Sequence, residues 1–532
     1  MIPEPQTVDV GRPHSEGVVE PVTTLGIDIG STNTKVVLVA IESTTIYEVS
    51  VRSFPTPDDA VDLLAAVDAG ISAVMDGVAC GPQVIGVASM AETGVPLNAD
   101  GAPLTELLRW NQRQSVVGAD DLAALAGAAG LFAATGVQPG PKAPLALWAG
   151  LRLRDAALWQ RMRRWAGTAD LVVQSLTGKL VTDHTLAGRT MAYRLPHSNQ
   201  PLSTSFDAVL LSLVGLRPGQ LPAVARPGTA AGTLTAAAAR RLHLRVGTPV
   251  VVAGHDHAVG AWAAGVRMPG DAADSLGTAE ALVRVLGGPL DRCDVAASGM
   301  SLTRTIEGDR ESLVAATPHA GALIGDWFRT VLAGVGRTRA DCAGVDCAGV
   351  FADVHARGTV VGDLLVLPYP SGRPSPAPDR CARLRILDRQ GRDVDPATRS
   401  ATDLTHALLT GMSLHLRWMD AEQRRLIGTA PAIVCVLGAA GAANQAWLDL
   451  KTAVMPVPLA LVDAAQPVAT GAALLAAARL GLVEPGLSLP HRPLESRSAG
   501  SAPGSAPGAD YDEVFTGFIA AATDATPAKG PQ

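Results

Sequence analysis

Positive charge is in short supply. Against 50 Asp and Glu the chain has 43 Lys and Arg, a net charge of −7. Without a basic field nothing draws a nucleic-acid backbone to the surface, so no nucleic-acid partner is expected. Long apolar runs are missing as well. The most apolar stretch, Val468 to Val483, is interrupted by Thr470 and Arg479 and reads as a buried helix, so no membrane partner is expected. Met1 to Glu20 is polar, contains Pro and Gly and lacks the apolar centre of a signal peptide. The six cysteines are scattered; Cys342 and Cys347 are the one close pair, and neither their spacing nor a neighbouring His suits zinc. They are expected as free thiols, in a cytoplasmic protein. Charged residues make up only 17% against 47% hydrophobic, and 532 residues are enough for two large, well-packed domains.

Four segments carry chemistry. In Val250 to Val266, VVVAGHDHAVGAWAAGV, an apolar strand stops at Gly254 and Asp256 follows between two histidines. A strand that ends in Gly and then an acid presents a general base at a cleft edge in α/β proteins. In Leu25 to Val39, LGIDIGSTNTKVVLV, a strand containing Asp28 enters the small turn Gly30, Ser31, Thr32 and returns as a β-branched strand. This is a hairpin, unlike the strand–turn–helix of a Walker loop. Its turn offers backbone N–H groups to phosphate oxygens, and Asp28 beside it suits a hydrated Mg²⁺. DSLGTAEAL, Asp274 to Leu282, places Gly277 and Thr278 in a second small turn. VLGAAGAANQAWLDLKTAV, Val436 to Val454, runs from a strand through a Gly/Ala turn into a helix beginning near Asn444, which lets a flat ligand approach the backbone. Each segment alone has a bland reading as a polar turn or as tight helix–strand packing.

In this order and spacing the four segments resemble the FGGY family of carbohydrate kinases, which includes xylulokinases and glycerol kinases, from about Thr24 to Leu482. Further matches are Ser89 to Leu104 followed by Arg109-Trp110, Leu176 to Thr190, Leu367 to Pro376 and the helix Asp403 to Arg417. The resemblance implies an α/β fold of two actin-like (ribonuclease H-like) domains with a ligand cleft between them. It implies ATP and Mg²⁺ as cofactors and a small sugar or polyol as partner; a homodimer is one candidate assembly, which the sequence leaves open. Asp256 is then the general base and Asp28 the metal residue. Gly30, Ser31, Thr32, Gly277 and Thr278 cradle phosphates, while Gly441 and Asn444 line the adenine side. Met90, Glu92 and Trp110, with Asp256, contact the acceptor, for which a pentulose is expected. Glu92 stands where glycerol kinases carry an acceptor-binding Glu, but Ala91 replaces their Arg. Trp110 reads equally as a stacking wall or a core aromatic. His255 and His257 read better as groups that orient the turn than as a relay or metal pair.

The chain departs from the family pattern at three places. Trp110-Asn111-Gln112-Arg113 lacks the usual acid, Ala439-Ala440-Gly441 replaces three glycines, and Ser371 to Pro376 lacks a Glu before Arg373. A sugar- or nucleotide-sensing protein on the same scaffold is the alternative reading, and an ATPase acting on a protein partner a third. The expected organisation is a flexible leader (1–21), an N-terminal sugar and phosphate domain (22–253), an adenine-side domain (254–485) and a tail (486–532). In the tail, Ser496 to Asp510 is low-complexity and Tyr511 to Ala522 reads as an amphipathic helix docking on the body. Within the first domain, helices are expected over Asp120 to Ala134 and Trp159 to Leu176.

Overall fold

A computed structural model describes residues 21–110, 115–198, 200–318, 320–332, 346–438, 444–495 and 509–524. The leader up to residue 20 and the low-complexity segment 496–508 lie outside the described residues.

Two sheets repeat one plan. The first runs in the order Thr45–Pro55, Asn33–Glu42, Val22–Ile29, Val84–Ser89, Pro249–His255, Gly232–Thr233. Its first three strands form an antiparallel meander, and Val22–Ile29, Val84–Ser89 and Pro249–His255 are parallel neighbours. The second runs Ser301–Arg304, Glu311–Thr317, Glu280–Val285, Ala272–Leu276, Val434–Leu437, Leu459–Val462, His491–Pro493. Here too a meander passes through Ala272–Leu276 into parallel strands. Central strands buried on both faces need apolar residues at nearly every position, as VVVA of the first sheet and VCVL of the second supply.

The sheets meet through two helices, Asp256–Ala263 and Pro467–Arg479, whose side chains share one core with Val37, Val251, Ala273, Val283 and Leu437. The second helix is rich in Ala because it lies directly on the first sheet: a Cβ at Gly26 would stand 1.9 Å from the Ala469 carbonyl oxygen. The stretch expected as a buried helix at Val468 to Val483 is therefore helical from Pro467 to Arg479.

Two helix expectations need correction. Gly127, at φ 72°, divides the first into Val116–Ala126 and Ala128–Thr135. The second is broken by the strand Arg164–Gly167, which pairs with Gly94–Leu97, leaving Ala156–Arg161 and Thr168–Thr177 as separate helices. Helical propensity lost there to a backbone ladder that no local pattern announces. The terminal helix Ala509–Thr523 buries Tyr511 and Phe518 against Tyr369 and Trp418. Arg373 fastens it by donating to the Ala522 carbonyl at 2.8 Å while its guanidinium lies over Tyr369 and Trp418.

The second sheet holds a fully buried charge cluster. Lys451, on the helix Gln445–Val454, donates to Asp274 at 2.6 Å and to Glu280, the residues bracketing the Gly277–Thr278 turn. Burial pushes the Glu280 carboxyl up, so it keeps its proton beside the Lys451 ammonium. Lys451→Met should leave the buried Asp274 and Glu280 side chains without their cation and cost about 3–5 kcal/mol, read as a fall in the denaturation midpoint. An unchanged midpoint would show that the turn does not depend on this anchor.

Candidate active site

The strand Val22–Ile29 carries Asp28 to the edge of the first sheet, 3% exposed. Its Oδ2 accepts from Lys35 at 3.0 Å, across the hairpin, while Oδ1 is buried without a hydrogen-bond partner. The Asp28 carboxylate in turn pushes the Lys35 ammonium up. In the turn, the Gly30 N–H donates to the Asn33 carbonyl at 3.1 Å and closes the hairpin. The N–H groups of Ser31 and Thr32 donate to nothing among the described residues. The second sheet repeats this. Gly277 N–H closes onto the Ala279 carbonyl at 2.8 Å, and the N–H groups of Thr278 and Ala279 are uncommitted among the described residues. The two turns face each other closely enough for Thr32 Oγ1 and Thr278 Oγ1 to lie 2.8 Å apart. Each of the two facing turns thus leaves two backbone donors free among the described residues, the kind of group that can hold an anionic oxygen.

Asp256 is placed by a defect in its strand. Pro249–His255 bulges between Val252 and Gly254, and Gly254 takes φ 133°. A Cβ there would lie 2.5 Å from Thr185 Oγ1. That hydroxyl accepts the His255 N–H at 2.9 Å and donates to Asp183 Oδ1 at 2.7 Å. The bulge turns the chain so that Asp256 becomes the first residue of the helix at the seam between the sheets. Burial, followed by the Asp28 charge, raises the Asp256 carboxyl to about 7. Burial lowers His257 to about 4 and holds His255 well below the usual imidazole range, so both are neutral near pH 7. His257 Nδ1 lies 2.8 Å from Ser275 Oγ on the second sheet, and His255 Nε2 lies 3.1 Å from Asp256 Oδ1. These contacts orient the helix start. The two imidazoles and Asp256 do bring donor atoms within 4.8 Å of one another.

Glu92 is 8% exposed and sits at φ 61°, in the left-handed region. Its Oε1 accepts from Arg189 Nε at 3.0 Å and from the Nη2 of the same guanidinium at 2.8 Å. Burial would raise this carboxyl, but Lys142 and Arg189 outweigh it and hold it low. Trp110 gives its indole N–H to Ser31 Oγ at 2.9 Å, and Ser31 Oγ–H points at Met90 Sδ, 3.3 Å away. Arg109 braces the turn of the first hairpin, donating to the Ser31 carbonyl at 2.6 Å. Asn444 caps the helix Gln445–Val454 by accepting from the Trp447 N–H at 3.1 Å. Gly441 and residues 111–114, 439 and 440 lie outside the described residues.

Four contributors escaped the sequence reading as individuals: Lys142, Arg189, and Asp183 with Thr185. Lys142 sits in a Pro-flanked loop with no motif around it. The others lie within the segment Leu176 to Thr190, whose place in the site could be read while their partners could not.

Sheets duplicated in this way, meeting at facing hairpin turns, define an actin-like, ribonuclease H-like α/β fold. Solved structures share it. A ligand-bound xylulose kinase and a gluconate kinase, both from Lactobacillus acidophilus, each superpose with TM-score 0.78 over 95% of this chain and 99% of theirs, at 20% and 19% identity. Residues 23–263 match the model for the N-terminal domain of the FGGY family of carbohydrate kinases. L-fuculokinase of Escherichia coli (strain K12) is 27% identical over 177 residues, 33% of this chain and 36% of that protein, so the chain spans about a third of its length. A xylulose kinase of Streptomyces coelicolor is 26% identical over 73% of this chain and 72% of its own. Residues 23–263 thus match the N-terminal domain of the FGGY family of carbohydrate kinases, and the chain as a whole is similar to its xylulose kinases and L-fuculokinases.

Proposed function

We propose that this protein transfers the γ-phosphoryl group of ATP to a hydroxyl of a small carbohydrate, a ketose or polyol with a pentulose as the favoured acceptor. The observation that carries the reading is Asp256. It is a half-buried carboxyl that titrates near neutrality and feels the charges of both Asp28 and Glu92. A base of that strength is half deprotonated at working pH and still accepts a proton readily. In the proposed step Asp256 takes the acceptor hydroxyl proton as that oxygen attacks the γ-phosphorus. The bond from phosphorus to the bridging oxygen breaks, and ADP leaves. The free N–H groups of Ser31, Thr32, Thr278 and Ala279 hold phosphate oxygens, with Gly30 and Gly277 shaping the turns. The orphaned Oδ1 of Asp28 fits a water on Mg²⁺, an ion that supplies charge neutralisation at the phosphates. Gly441 and Asn444 complete the adenine side, and Trp110 and Met90 wall the acceptor.

The test is ADP release with Mg²⁺ and ATP across a panel of ketoses and polyols, expected to depend on the carbohydrate. Nucleotide binding with no carbohydrate-dependent ADP would instead support a sensor. Glu92 supports acceptor binding because its Oε2 accepts no hydrogen bond among the described residues. Glu92→Gln should therefore lower acceptor kcat/KM by about ten- to a hundredfold, as for a hydrogen bond to a charged group. ATP hydrolysis without acceptor should fall much less. Equal losses in both would place Glu92 outside the acceptor pocket.

A further inference from the structure

One cation in the site has no task in this scheme. Lys142 precedes the helix Pro144–Arg154, and its ammonium lies 4.7 Å from the Trp110 ring centroid and 3.9 Å from Glu92 Oε1. It makes no hydrogen bond among the described residues, and its side chain is 43% exposed. Of its neighbours, Arg189 turns Nε and Nη2 to Glu92 Oε1, and the Trp110 indole gives its N–H to Ser31. The pocket thus sets an acceptor-only oxygen, Glu92 Oε2, beside a half-exposed donor-only group, the Lys142 ammonium.

An acceptor matching that pair needs a hydroxyl for Glu92 and, close by, an oxygen for Lys142. A hydroxyl satisfies an ammonium only by turning its own proton elsewhere. A carbonyl or carboxylate oxygen has no proton to place, and it gains more from a cation. We infer that Lys142 is a specificity-determining residue that donates to a carbonyl or carboxylate oxygen of the acceptor, selecting a ketose or an aldonate over the polyol of the same chain length. The inference rests on the kinase reading above and narrows its acceptor class.

The experiment compares kcat/KM for three matched acceptors, the 2-ketose, the polyol and the aldonate, in a five-carbon and a six-carbon series, with the full-length chain, ATP and Mg²⁺. The wild type should favour the ketose or the aldonate over the polyol by about tenfold or more, the range of a charge-assisted hydrogen bond. Lys142→Met should collapse that ratio towards one, and Lys142→Arg should restore part of it. A preference that fades with rising salt assigns the carboxylate, and a salt-independent one the carbonyl. Lys142 is half-exposed, and ADP affinity and melting temperature of the variants report that the fold is intact. A wild type that favours the polyol, or a ratio unchanged in Lys142→Met, overturns the inference and leaves the kinase reading standing. Absence of ADP release with all six compounds overturns the kinase reading itself.

Discussion

Asp256→Asn should abolish phosphoryl transfer and, at alkaline pH, make the protein more stable. The first effect follows from losing the proton acceptor, a loss on the order of 10²–10⁴ in kcat. The second follows from linkage. The folded protein holds Asp256 at about 7, against an ordinary value of 3.8, mainly through burial and then through the Asp28 charge. Between those values the native state keeps a proton that the unfolded chain has released. The group's contribution to stability therefore falls as pH rises from 3.8 and is fully lost above about 7. Asparagine has the same shape and never ionises. The variant should gain about 1–4 kcal/mol at pH 8, and the gain should vanish near pH 4. Melting curves at both pH values read this directly. In the wild type the same carboxyl sets an acidic limb in kcat/KM: the rate rises with pH through about 7 and then levels. Near wild-type turnover in Asp256→Asn, or a variant less stable at pH 8, would remove Asp256 from the role of base.

Asp28→Asn should leave an enzyme that needs far more Mg²⁺ and works to lower pH. The buried Oδ1 of Asp28 is the one oxygen of that carboxylate not engaged by Lys35. Loss of its charge should raise the Mg²⁺ concentration for half-maximal rate on the order of 10–100-fold. The same charge is the second cause that lifts Asp256, so its removal should move the acidic limb of the residual activity downward. A Mg²⁺ titration together with a pH profile separates the two effects. A variant with unchanged Mg²⁺ demand and an unmoved limb would show that Asp28 serves only to pair Lys35.

The order of pieces along the chain was legible because each is a local pattern. Asp28 with its hairpin turn, Gly277-Thr278, Asp256 after a buried strand and the helix capped by Asn444 are each written in a few adjacent residues. Strand alternation, a turn of small residues and a capping Asn need no distant partner to declare themselves. Duplication of the sheet was reachable only through the resemblance, since neither the composition nor any repeated sequence shows it. Where local and tertiary signals conflicted, the tertiary one won. Trp159 to Leu176 has helical spacing, yet Arg164–Gly167 is a strand because Gly94–Leu97 offers it a ladder. The electrostatics of the site are tertiary throughout. Nothing near Asp256 in sequence shows that Asp28 lies close enough to raise it, or that Thr185 and Gly254 aim it through a bulge. Glu92 was visible as a carboxylate in an acceptor segment. Its low-lying titration was hidden, because Arg189 and Lys142 come from segments 97 and 50 residues away. Charges act through space and strands pair across the chain, so the sequence by itself determined which groups are present, and only the fold decided which of them meet.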